Sequence, residues 1–193
     1  RKVLALAGCV QPSATPNTNA AAARVLGRLG ITLVEAPAAG CCGAVSYHLG
    51  EHGDGLDYMR RNIDAWWPAI ENGAEAVVMT ASGCGAMVQD YGHLLKDDPA
   101  YADKARRVSE LTMDLGAFLL QQDLGSLGLA KGQGKVAFHC PCTLQHAMKQ
   151  SGVVEQVLEK AGITLAETTD KHLCCGSAGT YSVLQPELSQ RLL

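Results

Sequence analysis

Apolar and polar positions along this chain switch repeatedly between a short continuous run and a helical period. Residues 3–6 (VLAL) are a brief apolar run and read as a buried strand. Over 17–29 the spacing becomes helical, with Ala22, Val25, Leu26 and Leu29 on one face and Gly30 where a left-handed helix stop belongs. Residues 31–34 (ITLV) read as the next strand, followed by a glycine loop that holds Cys41 and Cys42. A helix over 57–72 carries Met59, Ile63, Trp66, Trp67 and Ile70, and Pro68 is expected to kink it or start a new turn. Residues 76–80 form a third strand that runs straight into Ser82-Gly83-Cys84-Gly85. The charge-rich stretch 96–107 reads as a solvated helix after a loop at Asp97-Asp98-Pro99, and 136–138 and 163–165 as two further strands. Strands alternating with helices predict an α/β fold with mainly parallel sheets. In such sheets ligands bind beyond the carboxyl ends of the strands.

The pattern is duplicated. VLALAGC (3–9) and RLGITLVEAPAAGCCGAVSY (28–47) are matched by KVAFHC (135–140) and KAGITLAETTDKHLCCGSAGTY (160–181). Cys9 precedes Cys41 by 32 positions and Cys140 precedes Cys174 by 34, with the G-I-T-L blocks in matching places. A repeat of this length is a duplicated domain rather than a solenoid. The expected organisation is two pseudo-symmetric tandem halves, 1–124 and 135–193, joined by a glycine-rich linker over 125–134. The second half is expected to be truncated, because the chain stops inside an apparent helix at Leu193.

Composition narrows the function. Of the 193 residues, 47% are hydrophobic, which suffices for a core, and only 18% are charged. The net charge of −3 provides no basic face for nucleic acid. The longest uncharged run, 3–23, contains Gln11, Pro12, Ser13, Pro16, Asn17 and Asn19 and is too polar to span a bilayer. No phosphate-cradling loop, dinucleotide fingerprint or hydrolytic triad order is present. Trp66-Trp67 reads as core rather than as an interface anchor.

Eight cysteines remain: Cys9, Cys41, Cys42, Cys84, Cys140, Cys142, Cys174 and Cys175. Two pairs are vicinal. Adjacent Cα atoms lie about 3.8 Å apart, short of the roughly 4.4 Å a disulfide needs. Without a secretory signal, such a cluster is expected to be metal-binding or catalytic rather than a disulfide framework. Four thiols from three strand ends suit zinc or an iron–sulfur cluster. A vicinal pair can ligate two irons of one cluster, which a single zinc does not require, so iron–sulfur is favoured with zinc as the alternative. Gly40, Gly43, Gly83, Gly85, Gly176 and Gly179 let backbone amides approach sulfur, or simply make turns. The histidines, His48, His52, His93, His139, His146 and His172, read as surface or hydrogen-bonding groups rather than ligands.

The CCG core with one cysteine some thirty positions before it and another about forty after it resembles the cysteine-rich CCG domain family. That family includes the B subunit of heterodisulfide reductase and the iron–sulfur subunits of glycolate-oxidising dehydrogenases. The stretches 8–31, 39–49, 62–77, 80–92, 138–147 and 172–184 carry the resemblance over almost the whole chain. It implies a 4Fe–4S cluster and no catalytic residue in this chain itself. Electrons would come from a partner subunit with FAD that oxidises glycolate or lactate, and would go to an acceptor such as quinone. The location implied is the cytoplasm, or the inner face of the membrane. By the same resemblance Cys9, Cys41, Cys42 and Cys84 form one ligand set, and Cys140, Cys174 and Cys175 a second. Cys142 is a substitute ligand or a free thiol. Ala81 stands where the fullest family pattern has a further cysteine, which counts against disulfide reduction at the cluster. The final cysteine of the second set would fall after Leu193, and the ferredoxin-like region of electron-transfer members is not part of this sequence.

Overall fold

The structure, a computed structural model, describes residues 1–129, 134–177 and 179–193. In chain order the elements are β1 (Lys2–Ala5), α1 (Gln11–Ala14), α2 (Asn17–Arg28), β2 (Thr32–Glu35), α3 (Ala44–His48) and α4 (His52–Glu71). There follow β3 (Val77–Met79), α5 (Ser82–Gln89), α6 (Tyr91–Leu94), α7 (Ala102–Leu111), β4 (Thr112–Asp114) and α8 (Leu115–Leu120). After a 3₁₀ turn at Leu124–Leu127 come β5 (Lys135–Val136), a π-helical turn at Thr143–Ala147, α9 (Val153–Lys160), β6 (Thr164–Leu165), α10 (Tyr181–Leu184) and α11 (Pro186–Leu192).

The first sheet is parallel throughout, with strand order β2-β1-β3-β4. The chain therefore leaves β1 toward one side through α2 and returns to its other side through α4. Right-handed crossovers then require α2 and α4 to cover opposite faces, and the packing follows. Leu4, Val77 and Met79 point to one core with Met59, Ile63, Trp66, Val88, Tyr91 and Val108. Val3 and Val78, their strand neighbours, point to the other with Leu26, Ile31, Phe118, Leu124 and Leu127. Successive strand residues face opposite sides, so a sheet covered on both faces reads as continuous hydrophobicity.

Helix α4 starts five residues before the expected Asp57, and it continues through Pro68 to Glu71 rather than starting a new turn there. Pro68 sits in the final turn, and the helix closes around it: Asn72 donates from both its backbone N and Nδ2 to the Pro68 carbonyl. Gly73, at φ +83°, and Ala74 return hydrogen bonds to Ile70 and Ala69, the paired closure of a Schellman stop. The charged stretch folds as α7 only from Ala102, and it is not solvated all round, because Ala105 and Val108 are fully buried. The edge strand β4 was not foreseen; two of its three residues, Thr112 and Asp114, are polar and buried, without the apolar run that marks β1 and β3. In the expected linker, 125–127 belong to the 3₁₀ turn, whose Leu124 and Leu127 pack into the second core, while 130–133 lie outside the described residues.

Asp114 caps α8, its Oδ1 accepting from the Gly116 amide at 2.7 Å. Burial raises its pKa above the ordinary carboxylate value. Its stabilising contribution is therefore whole at acid pH and declines as pH rises through the folded-state pKa. Asp114→Asn keeps the cap without the buried charge. Chemical denaturation at neutral pH is expected to find it as stable as the parent or more so, with the difference vanishing toward about pH 4. Asp114→Ala is expected to lose about 1 kcal/mol.

The second sheet is the parallel pair β5-β6, joined by α9 as β1 and β2 are joined by α2. Both crossovers end identically. Gly30 (φ +73°) and Gly162 (φ +81°) follow the last helical turn, and Ile31 and Ile163 each donate back to the leucine five positions earlier. The halves meet where α8 packs on α9 and α5 on the π-helical turn. There Gly85 leaves room for the Met148 side chain, and Ser82 Oγ lies 2.6 Å from Thr143 Oγ1.

Candidate metal centre

The order β2-β1-β3-β4 places a topological switch between β1 and β3, where the chain departs in opposite directions and a crevice opens beyond the strand ends. Cys9 follows β1, and Cys84 lies in the first turn of α5 directly after β3. Cys41 and Cys42 come from the loop after β2. Cys84 is thus supplied by a helix start rather than by the loop expected. All four thiols line one cleft of about 760 Å³. Ala81, Thr143 and Thr180 line it too, so the second half contributes part of the wall. His48 is the one histidine on that lining.

The thiols influence one another. Burial, the larger effect, and then the neighbouring Cys41 thiol raise the Cys9 pKa. The Cys42 thiol, 4% exposed, is pushed up chiefly by the neighbouring Cys84 thiol and then by burial. The same neighbour draws the Cys84 thiol below its ordinary value against the opposing effect of burial. The first turn of a helix also favours negative charge. Among the described residues no three His, Cys, Asp or Glu side chains come close enough to enclose a single metal ion.

The vicinal pair is held by its backbone. Asn62 and Tyr91 are both fully buried. Asn62 Nδ2 donates to the Cys41 carbonyl at 2.9 Å and to Tyr91 Oη at 3.1 Å, while Tyr91 Oη donates to the Cys42 carbonyl at 2.8 Å. Asn62 Oδ1 accepts from the Gly40 amide at 2.9 Å. Gly43 N donates to Cys41 Sγ at 3.5 Å, and Gly176 N to Cys174 Sγ at 3.3 Å, so both halves repeat the same amide-to-sulfur turn. Sequence reasoning missed Asn62 and Tyr91. The available signal was an amide at the centre of the apolar face of Met59, Ile63 and Trp66. Tyr91→Phe strands a buried carbonyl and an amide hydrogen, and is expected to cost about 1–3 kcal/mol in denaturant unfolding.

The second set is less gathered. Cys140 is buried against Leu144 and Met148, whereas Cys142, Cys174 and Cys175 are exposed. Burial first, and then the carboxylates Glu155 and Asp114, raise the Cys140 pKa. The two loops are nevertheless tied together. Gln145 Nε2 donates to the carbonyls of Cys140 (2.5 Å) and Lys171 (3.1 Å), and His139 Nε2 faces the Leu173 carbonyl at 3.3 Å. Within the 172–184 motif, residue 178 lies outside the described residues.

A duplicated parallel α/β scaffold with cysteine loops at its carboxyl edge defines a class of thiol-rich ligand-holding domain. A profile described as a cysteine-rich domain, CCG, matches residues 3–89 and 136–193. The chain belongs to this cysteine-rich CCG family. It is 59% identical to the glycolate oxidase iron-sulfur subunit of Escherichia coli, across 100% of this chain and 47% of that protein. It is 32% identical to a probable glycolate oxidase iron-sulfur subunit of Bacillus subtilis, across 100% of this chain and 43% of that one. It is 28% identical to lactate utilization protein A of Bacillus licheniformis, across 100% of this chain and 79% of that one. The chain spans about half the length of the two glycolate oxidase relatives.

Proposed function

We propose that this chain holds an iron–sulfur cluster, of the 4Fe–4S type, within a dehydrogenase complex for a small 2-hydroxy acid such as glycolate or lactate. The ligands proposed are Cys9, Cys41, Cys42 and Cys84, with a second set at Cys140, Cys174 and Cys175 and Cys142 available beside it. The observation that carries the reading is the convergence of four thiols from three chain segments on one cleft at the switch point. The donor set is soft, as a cluster requires. Four thiols spread along a cleft wall suit several irons better than one ion. The relatives' names support the hydroxy-acid context.

When bound, the cluster supplies one-electron storage. The chain's residues do the rest. Asn62 and Tyr91 fix the Cys41-Cys42 peptide, Gly43 points its amide at Cys41 Sγ, and Leu6, Met79 and Met87 limit water at the cleft. Electrons are proposed to arrive from a partner subunit carrying FAD and to leave to quinone at the inner face of the membrane. No helix among the described residues is long and apolar enough to cross a membrane. The domains proposed are 1–124 and 135–193.

Anaerobic purification with iron and acid-labile sulfide analysis tests the reading. Brown protein with iron and sulfide in equal amounts is the expected result. Colourless protein carrying stoichiometric zinc would sink it.

A further inference from the structure

Most of the arginines for which a side-chain partner is seen have an anion. Arg1 pairs with Glu75, Arg60 with Asp57 and Asp98, and Arg106 and Arg107 with Glu110. Arg61 differs. Among the described residues no carboxylate lies within ion-pair distance of it, and it is only half-exposed on α4. Its Nη2 donates to the Cys41 carbonyl at 3.0 Å and reaches Asn62 Oδ1 at 3.4 Å. Its guanidinium carbon lies 4.8 Å from the centre of the Tyr58 ring. Its Nε is buried without any hydrogen-bond partner. Gly40 makes this pose possible, since a Cβ there would stand 2.9 Å from Nη2.

A guanidinium is charged at any relevant pH, and a partly desolvated charge or donor without a partner is destabilising. The sequence has nonetheless set such a charge behind the vicinal cysteine pair, on the Cys41 carbonyl rather than on the cleft wall. We infer that Arg61 is the internal counter-cation of the thiolate centre, its missing anion being the loaded cluster itself. This rests on the iron–sulfur reading above. Each ligating thiolate brings negative charge, and each one-electron reduction adds one more. A fixed cation nearby stabilises the reduced form more than the oxidised form and raises the potential. Arg61 is a tuning and positioning residue; it carries no electron.

The test is a redox titration of the anaerobically reconstituted 193-residue chain, followed by visible and electron paramagnetic resonance spectra, with the titrant supplying the electron. Arg61→Gln is expected to disfavour the reduced state about tenfold, a fall of about 59 mV for a one-electron couple. Arg61→Lys, which keeps the charge, is expected to stay near the parent, and so is Arg106→Gln, a surface control. An unshifted potential in Arg61→Gln overturns the inference. So does an equal fall in Arg61→Lys, which would assign the effect to shape rather than charge. If Arg61→Gln retains no iron, retention in Arg61→Lys supports the inference and loss in both overturns it. A parent chain without iron would instead remove the reading on which this one rests.

Discussion

Cys42→Ser is expected to leave the anaerobically purified chain nearly free of iron, while Cys175→Ser leaves most of it bound. Cys42 is the most enclosed thiol of the first set, 4% exposed, and has the Cys84 thiol as its neighbour. Losing it removes a ligand and also the neighbour that lowers the Cys84 pKa. Disturbing groups around a metal ligand already costs about 10–100-fold in affinity, so removing the ligand itself should exceed that. Cys175 is exposed in a set whose other thiols are divided between a buried position and the surface. Iron analysis of the two variants beside the parent decides the matter. Equal losses would mean that the second set is as complete as the first, with Cys142 or a neighbouring histidine in its fourth place.

Gly43→Ala is the second large effect. Gly43 adopts φ +89°, a region that costs a residue with a side chain about 1–3 kcal/mol. An added Cβ would also stand 2.7 Å from the Gly55 carbonyl oxygen, which is backbone and cannot swing aside. Relief requires α3 to lift from α4, and that movement takes the amide away from Cys41 Sγ. The expected outcome is a lower unfolding midpoint together with faster iron loss to a chelator. Gly83→Ala, where an added Cβ meets nothing within 4 Å, is the comparison and should change the midpoint little.

Much of this arrangement is legible in the residues. The strand-helix-strand units, the glycine stops at Gly30 and Gly162 and the gathering of Cys9, Cys41, Cys42 and Cys84 follow from period, turn chemistry and the rule for parallel sheets. What escaped had local signals that tertiary structure overrode. Pro68 reads as a kink or the start of a new turn, yet α4 runs through it to Glu71, so the tertiary packing of Met59, Ile63 and Trp66 outweighs the one amide that proline lacks. Residues 112–114 have no apolar run, because an edge strand of three residues is specified by its neighbour β3 rather than by its own composition. Asn62 and Tyr91 lie 29 positions apart and meet only when α4 and the region after α5 pack together, a contact no local pattern encodes.

The order of residues around the cleft also sets a timetable for biogenesis. The four thiols belong to positions 9, 41, 42 and 84, and the β1-β3 pairing that brings the last to the first joins Leu4 to Val77. Such long-range parallel pairings form slowly, because the intervening chain must be ordered before they are rewarded. During synthesis from the N-terminus, Cys9, Cys41 and Cys42 leave the ribosome well before α5 exists. Metal delivered at that stage would meet an open loop with three thiols and no fixed geometry. On the iron–sulfur reading proposed above, cofactor loading is expected to be a late event that follows the completion of β3 and α5.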